Sequence, residues 1–425
     1  MLIKLLLCLL LMVSACAMAQ NGATPVSSQA RRIHDSAIVI DTHADTPQRF
    51  VDQNFDLGSI TPVTEGNFDL EKVRAGNLAA EFFSIWVDPT TSAGHFAHRA
   101  LALIDSVYEQ VARHPDRMVM AYSAEDIIRA HSGPHRKFAA LMGVEGGHAI
   151  EGNIRILRDF YRLGVRYMTL TWSNTNEIGD SSGDQDDPKI EHHNGLTPFG
   201  KQVVREMNRL GMMVDISHVA DKTFWDTLAE TRAPVIASHS SARALTNAPR
   251  NMTDDMLRAV AKNGGVVDVN FFSGFLSEDY RKGMDGLRKD HDAAIEAFMT
   301  QQKAEGKPMS YMDVERVERE WSAKIPRPPL KVLIDHIDHV AKVAGIDHVG
   351  LGSDFDGVSG ALPEGMDSVA DLPKITQALL ERGYSASDIK KILGGNVLRV
   401  FREVERISRE SAAKRPAATA SGKSQ

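Results

Sequence analysis

The chain has 425 residues, 43% of them hydrophobic and 25% charged, a composition that fits one large soluble α/β domain. A net charge of −7 and a pI of about 6.2 exclude the basic footprint of a nucleic-acid binder. Both cysteines, Cys8 and Cys16, precede residue 19, so the body of the chain offers neither a disulfide nor a thiolate metal site.

Residues 1–19 read as a secretory signal peptide. "MLIK" carries a positive charge, "LLLCLLLMV" is an apolar core too short to span a bilayer, and "SACAMAQ" supplies small residues for cleavage. Two cleavage readings stand side by side. "AMA" before Gln20 fits an ordinary signal peptidase, whereas "VSAC" resembles a bacterial lipobox that would leave Cys16 lipidated. Either one predicts an exported protein, periplasmic or lipid-anchored to a bacterial membrane. At the other end, 408–425 is polar and rich in Ala and Ser, which predicts a disordered tail.

Between these ends, eight strand-like apolar runs recur: 36–45, 77–87, 137–147, 165–173, 212–219, 234–241, 265–272 and 348–357. Helical patterns separate most of them. "TPFGKQVVREMNRLG" has a Thr-Pro start and a Gly stop, the signature of a capped helix. Continuous apolar strands alternating with helices imply a parallel sheet covered on both faces. Eight of them predict an α/β fold of the (β/α)8 TIM-barrel type. The rhythm breaks after the second strand and again over roughly 273–330, a charged helical insertion between strands 7 and 8. Charge-rich helices there predict a solvated cover rather than a lid or a subunit contact.

In a barrel of this kind the strand C-termini face the active-site mouth. His43 and Asp45 end the first run, Glu145 the third, His218 the fifth, His239 the sixth and Asp354 the eighth. Any one of these is more often a structural residue. Together, three histidines and three carboxylates on one rim exceed what a single zinc needs, since zinc takes about four N/O ligands. The set predicts two metal ions sharing a carboxylate, an arrangement suited to hydrolysis. Asp41 and Asp215 are either supporting partners or buried hydrogen-bonded groups. His148, near the mouth, is undecided; His192 and His193 read as exposed. The other ten histidines read as structural.

The blocks "DTHAD", "GVEGGHAI", "GVRYMTLT", "GLTPFGKQVVREMNRLGMMVDISHV", "SHSSAR", "GLGSDFDG" and "GGNVLRVF" resemble, in order, the membrane (renal-type) dipeptidases among the amidohydrolase-like barrels. The resemblance runs over about 31–405, which marks out the catalytic domain. It implies a zinc-dependent dipeptidase with two Zn2+ per chain. It further implies that His43 and Asp45 bind one zinc, that Glu145 bridges both, and that His218 and His239 bind the second. By the same resemblance Asp354 is the acid/base, handling the proton of a metal-bridging hydroxide and of the leaving amine. Arg250 in "APRNMTDD" would grip the carboxylate of the dipeptide, a task that suits a fork of N–H donors. Family members are often dimers, which leaves a homodimer possible here.

One position departs from the pattern. Where the family has a histidine after the fourth strand, in "LTH", this chain has "LTW" with Trp172. An indole donates one N–H and cannot ionise. Losing one oxyanion donor costs roughly 2.7–4 kcal/mol of transition-state stabilisation; Asn174, Asn176 or the indole itself are the candidates to compensate. Trp172 also keeps open an alternative substrate class, N-acyl amino acids or lactones. A non-catalytic metal- or ligand-binding lipoprotein is the remote alternative, and the complete ligand set with Asp354 argues against it.

Overall fold

The computed structural model describes residues 25–306 and 310–413. The expected signal segment, Cys16 included, lies outside them, as do 414–425. Among the described residues one sheet holds nine strands: β1 (Val39–Ala44), β2 (Leu78–Trp86), β3 (Met118–Met120), β4 (Phe138–Glu145), β5 (Val165–Thr169), β6 (Met213–Asp215), β7 (Val235–Ala237), β8 (Val266–Asn270) and β9 (Val349–Gly352). Apart from β3 they match the eight expected runs one for one. Their order is β1-β2-β4-β5-β6-β7-β8-β9, parallel throughout.

The two ends of this order meet and close a TIM-type barrel. Ala44 bridges Phe355, the Asp354 N–H donates to the His43 carbonyl (2.9 Å), and the Asp45 N–H donates to the Phe355 carbonyl (2.8 Å). The seam thus joins the ends of the first and last barrel strands, and lays His43 and Asp45 beside Asp354.

The strands are buried on both faces because two apolar layers compete for them. Ala80, Phe82, Leu141, Tyr167 and Ile236 form one cluster with Val397, Phe401 and Val404 of the terminal helix Asn396–Ala413. The rings of Phe82 and Phe401 lie 6.1 Å apart, so this helix stoppers the end of the barrel away from the site. Phe83, Ile85, Met142 and Val144, on the alternate faces, join the cluster under the outer helices. Helix Asn396–Ala413 carries regular structure through 408–413, where a disordered tail is expected; the rest of that segment lies outside the described residues.

The helix Pro198–Leu210 shows how directly sequence writes these boundaries. Thr197 Oγ1 accepts from the Gly200 N–H, Pro198 occupies the first turn, and Gly211 closes the helix at φ +83°.

Two segments interrupt the βα rhythm. After β2 come helix Phe96–Arg113, the short β3, and helix Ala124–Ala130; β3 pairs only with β4. Between β8 and the barrel helix Lys331–Ala344 that precedes β9 stand helices Ser273–Leu276, Glu278–Ala304 and Tyr311–Ser322. His291 Nε2 lies 2.8 Å from Glu318 Oε2 and ties the two longer helices together.

Candidate metal centre

All six strand-end residues meet at the C-terminal mouth. Glu145 lies at the centre. Its Oε2 is 3.3 Å from His43 Nε2, while its Oε1 is 2.9 Å from His218 Nε2 and 3.3 Å from His239 Nε2. His43 Nε2 is 3.6 Å from Asp45 Oδ2, and the two nitrogens of His218 and His239 approach to 2.9 Å. Ligand atoms of His43, Glu145 and His239 fall within 4.8 Å of one another, as do those of His43, Asp45 and Asp354. Glu145 therefore faces His43 through one oxygen and His218 with His239 through the other, while His43 belongs to both close groups.

The backbone is strained to achieve this. His218 (φ +66°) and Asp354 (φ +63°) adopt left-handed conformations that non-glycine residues rarely hold. Gly357 makes room for the acids: a Cβ there would sit 2.0 Å from Asp45 Oδ2 and 2.6 Å from Asp354 Oδ1.

Buried hydrogen bonds fix which imidazole nitrogen faces the centre. The Tyr167 hydroxyl donates to the Thr42 carbonyl (3.0 Å) and lies 2.8 Å from His43 Nδ1. Its oxygen is thus the acceptor, Nδ1 carries a proton, and His43 Nε2 points at the site. Ser238 plays the same part for His239: its Oγ donates to Asp215 Oδ2 (2.6 Å) and lies 2.8 Å from His239 Nδ1. Asp215 is held in turn by Thr169 Oγ1 and by the Ser217 and Ser238 N–H groups. Asp41 accepts from the Ser353 N–H (2.8 Å) at the barrel seam. Both aspartates are supporting groups. Asn270 Nδ2 donates to Asp354 Oδ2 (2.9 Å).

Electrostatics sharpen the picture. Burial, then the Arg250 guanidinium, push His218 down to about 4. Burial, His43 and Arg250 hold His239 well below its usual value. Burial would raise Glu145, but His43, His218 and His239 hold it well below the ordinary carboxylate range. Burial opposes the charge on His43 as well, yet Tyr167, Glu145 and Asp45 hold it well above its usual value, so Nε2 keeps a proton that a bound cation would displace. Burial raises Asp45, and it pushes Asp354 up to about 7, opposed by His43 and reinforced by Asp45 and Glu145. Crowded carboxylates that resist ionising together are what bound cations relieve.

The residues present fit a metal. His43 Nε2 and Asp45 Oδ1 are buried without a hydrogen-bond partner, an expensive state unless something else binds them. The donor set is nitrogen and oxygen with no thiolate, as zinc hydrolase sites use.

Arg250 sits behind His239. It donates to Ser240 Oγ and to the His239 carbonyl, both at 2.7 Å, and its Nε is buried without a partner. Trp172 lies against His218 (ring centroids 6.3 Å) and packs on Trp86 at 4.9 Å. Tyr311 of the insertion meets Trp86 edge-on, with ring centroids 4.6 Å apart. A cavity of about 490 Å3 opens above the centre, lined by Asp45, Glu145, His218, Asp354, Trp172 and Tyr311 among others. The insertion is therefore a roof over the mouth, not only a solvated cover: an aromatic and aliphatic stripe faces in, alongside Arg288, His291, Asp292 and Glu318. His148 is structural, buried with Nε2 2.8 Å from the Val87 carbonyl; His192 and His193 are exposed.

Reading the sequence missed Tyr167, Ser238 and Asn270, which orient or hold His43, His239 and Asp354, and it missed Trp86 and Tyr311. Ser238 had a signal in its place beside His239; Tyr167 looks like any strand residue.

A sequence model of the family "Membrane dipeptidase (Peptidase family M19)" matches residues 27–415. Mouse "Dipeptidase 3" is 32% identical over 389 residues, covering 89% of this chain and 66% of the mouse protein, so the chain spans just under two thirds of that relative. The crystal structure of the probable dipeptidase PvdM from Pseudomonas aeruginosa is similar with a TM-score of 0.75 and 28% identity, over 89% of this chain and 98% of that one. A metallo peptidase from Rhodobacter sphaeroides, solved with a phosphinate mimic of the dipeptide L-Ala-D-Ala, has a TM-score of 0.67 and 25% identity over 87% and 100%.

Proposed function

This chain belongs to the membrane dipeptidase family of metallopeptidases, and from that premise we propose that it hydrolyses the peptide bond of dipeptides with two zinc ions. The observation that carries the proposal is the placement of Glu145, whose two oxygens face His43 on one side and His218 with His239 on the other. His43 and Asp45 would hold one zinc and His218 and His239 the other, with Glu145 placed between the two groups. When bound, the ions would supply Lewis-acid activation of water and of the scissile carbonyl.

The protein's own residues do the rest. Asp354, held by Asn270, takes the proton of the attacking water and passes it to the leaving amine, one carboxylate serving both steps. Arg250 binds the substrate carboxylate through the N–H groups that Ser240 and His239 leave free, which limits the substrate to dipeptide length. Trp172 shapes the wall where the family has a histidine.

A second reading, cleavage of N-acyl amino acids, is favoured by the apolar surface Trp172 adds to the cavity. Hydrolysis of dipeptides with L and D second residues, measured beside N-acyl amino acids with and without a chelator, separates the two. Chelator-sensitive release of free amino acids from dipeptides supports the first reading. Cleavage of the acylated substrates alone supports the second. We further propose export, with Cys16 as an anchor where it is lipidated, and a homodimer; no helix of the described residues is long and apolar enough to cross a membrane.

A further inference from the structure

The roof of the cavity carries more apolar surface than a small dipeptide needs. Along helix Glu278–Ala304, Tyr280, Met284 and Leu287 fall at i, i+4 and i+7; along Tyr311–Ser322, Tyr311, Val314 and Trp321 fall at i, i+3 and i+10. These spacings put each set on one helical face. Both faces line the cavity.

Apolar stripes of this kind normally bury themselves in a core. Here Met284, Leu287, Val314, Trp321 and Ile325 belong to neither hydrophobic cluster of the fold, and each stays half-buried. They face Phe272 and Phe275 across the same cavity, whose floor holds Asp45, Glu145, His218 and Asp354. Phe275 also lies under the Arg250 guanidinium, 5.7 Å from ring to charge. At the other side stand Trp172 and Tyr311, each packed against Trp86. The apolar walls thus begin at the carboxylate-binding arginine and at the metal ligands, and run away from both beneath the insertion.

A concave apolar surface that opens onto polar anchors is a binding site rather than a packing defect. Its volume, about 490 Å3, falls within the roughly 300–1,000 Å3 of pockets that enclose drug-sized ligands. Two methyl side chains would leave most of the roof wet.

Resting on the dipeptidase reading, we infer that the helical insertion is a specificity element that selects dipeptides bearing at least one large apolar or aromatic side chain. The Arg250 end fixes the carboxylate, the metal ligands fix the scissile carbonyl, and the side chain is desolvated under Met284, Leu287, Val314 and Trp321. Because one apolar group in a fitted pocket changes kcat/KM by about tenfold or more, the preference is measurable.

The experiment compares kcat/KM of the zinc-loaded protein on Ala-Ala, Phe-Ala and Ala-Phe, each with L and D second residues, and repeats it with Val314→Trp, which fills the cavity. The expected result is a preference of about tenfold or more for a Phe-containing dipeptide over Ala-Ala, with that ratio collapsing in Val314→Trp. Ala-Ala cleaved as well as both Phe-containing dipeptides overturns the inference while leaving the dipeptidase reading intact. A preference that survives Val314→Trp, in protein with unchanged circular dichroism, also overturns the role of the roof. No cleavage of any dipeptide by zinc-loaded protein overturns the dipeptidase reading and the inference with it. The wild-type panel decides the matter even where Val314→Trp fails to fold.

Discussion

His43 and Tyr167 meet 2.8 Å apart inside the barrel, and because the tyrosine gives its own proton to the Thr42 carbonyl, His43 must present Nε2 to the metal centre. Such supporting contacts typically carry 10–100-fold in metal affinity. Tyr167→Phe is therefore expected to weaken zinc binding by about 10–100-fold while preserving the fold. Competition with a chromophoric chelator measures it; an unchanged affinity would mean that ring packing alone orients His43.

Asp354 is assigned to the proton and not to the metals. Asp354→Asn keeps the shape and the Asn270 contact but cannot shuttle a proton. Turnover is expected to fall by about 10²–10⁴, with zinc content by elemental analysis unchanged. Full activity would remove Asp354 from the mechanism.

Arg250 is expected to read the substrate carboxylate. Wild type should cleave a dipeptide far better than the corresponding dipeptide amide, and Arg250→Ala should erase most of that difference by raising KM. A hydrogen bond to a charged group is worth about 1.5–3 kcal/mol, roughly 10- to 150-fold. Equal discrimination in the variant would assign Arg250 to holding Ser240 and the His239 carbonyl in place.

Glu315, on the roof helix, is buried with its carboxyl pushed up to about 7 by burial. Ser359 and Arg319 oppose the shift, while Asp356 and Glu318 add to it. The folded chain keeps a proton that the unfolded chain releases near 4.5, so stability is greatest below that value and falls as pH rises toward 7. The loss amounts to roughly 3 kcal/mol at most. Denaturation of wild type and Glu315→Gln across pH 4 to 8 is expected to show a steeper fall in wild type than in the variant. Parallel curves would contradict it.

The sequence made the six strand-end residues legible because each closes an apolar run with a group that has no reason to be buried there. "GVEGG" and "DISH" announce Glu145 and His218 without any knowledge of their neighbours. The eight barrel strands were readable for the same reason, whereas β3 was not: Met118–Met120 is too short to carry a period. Tyr167 and Ser238 stayed hidden because their roles depend on which strand lies alongside, which no local pattern records. The roof was misjudged on its charges. Its inward stripe of Tyr280, Met284 and Leu287 was present in the sequence, but a stripe facing a cavity and a stripe facing a core look alike until the helix is docked.

Zinc uptake and dipeptide hydrolysis, followed together as metal-free protein is titrated, test the account most directly. It expects activity to rise to a plateau near two zinc ions per chain, and Glu145→Gln to retain at most one. Full activity at a single zinc, or two tightly held ions in Glu145→Gln, would contradict it.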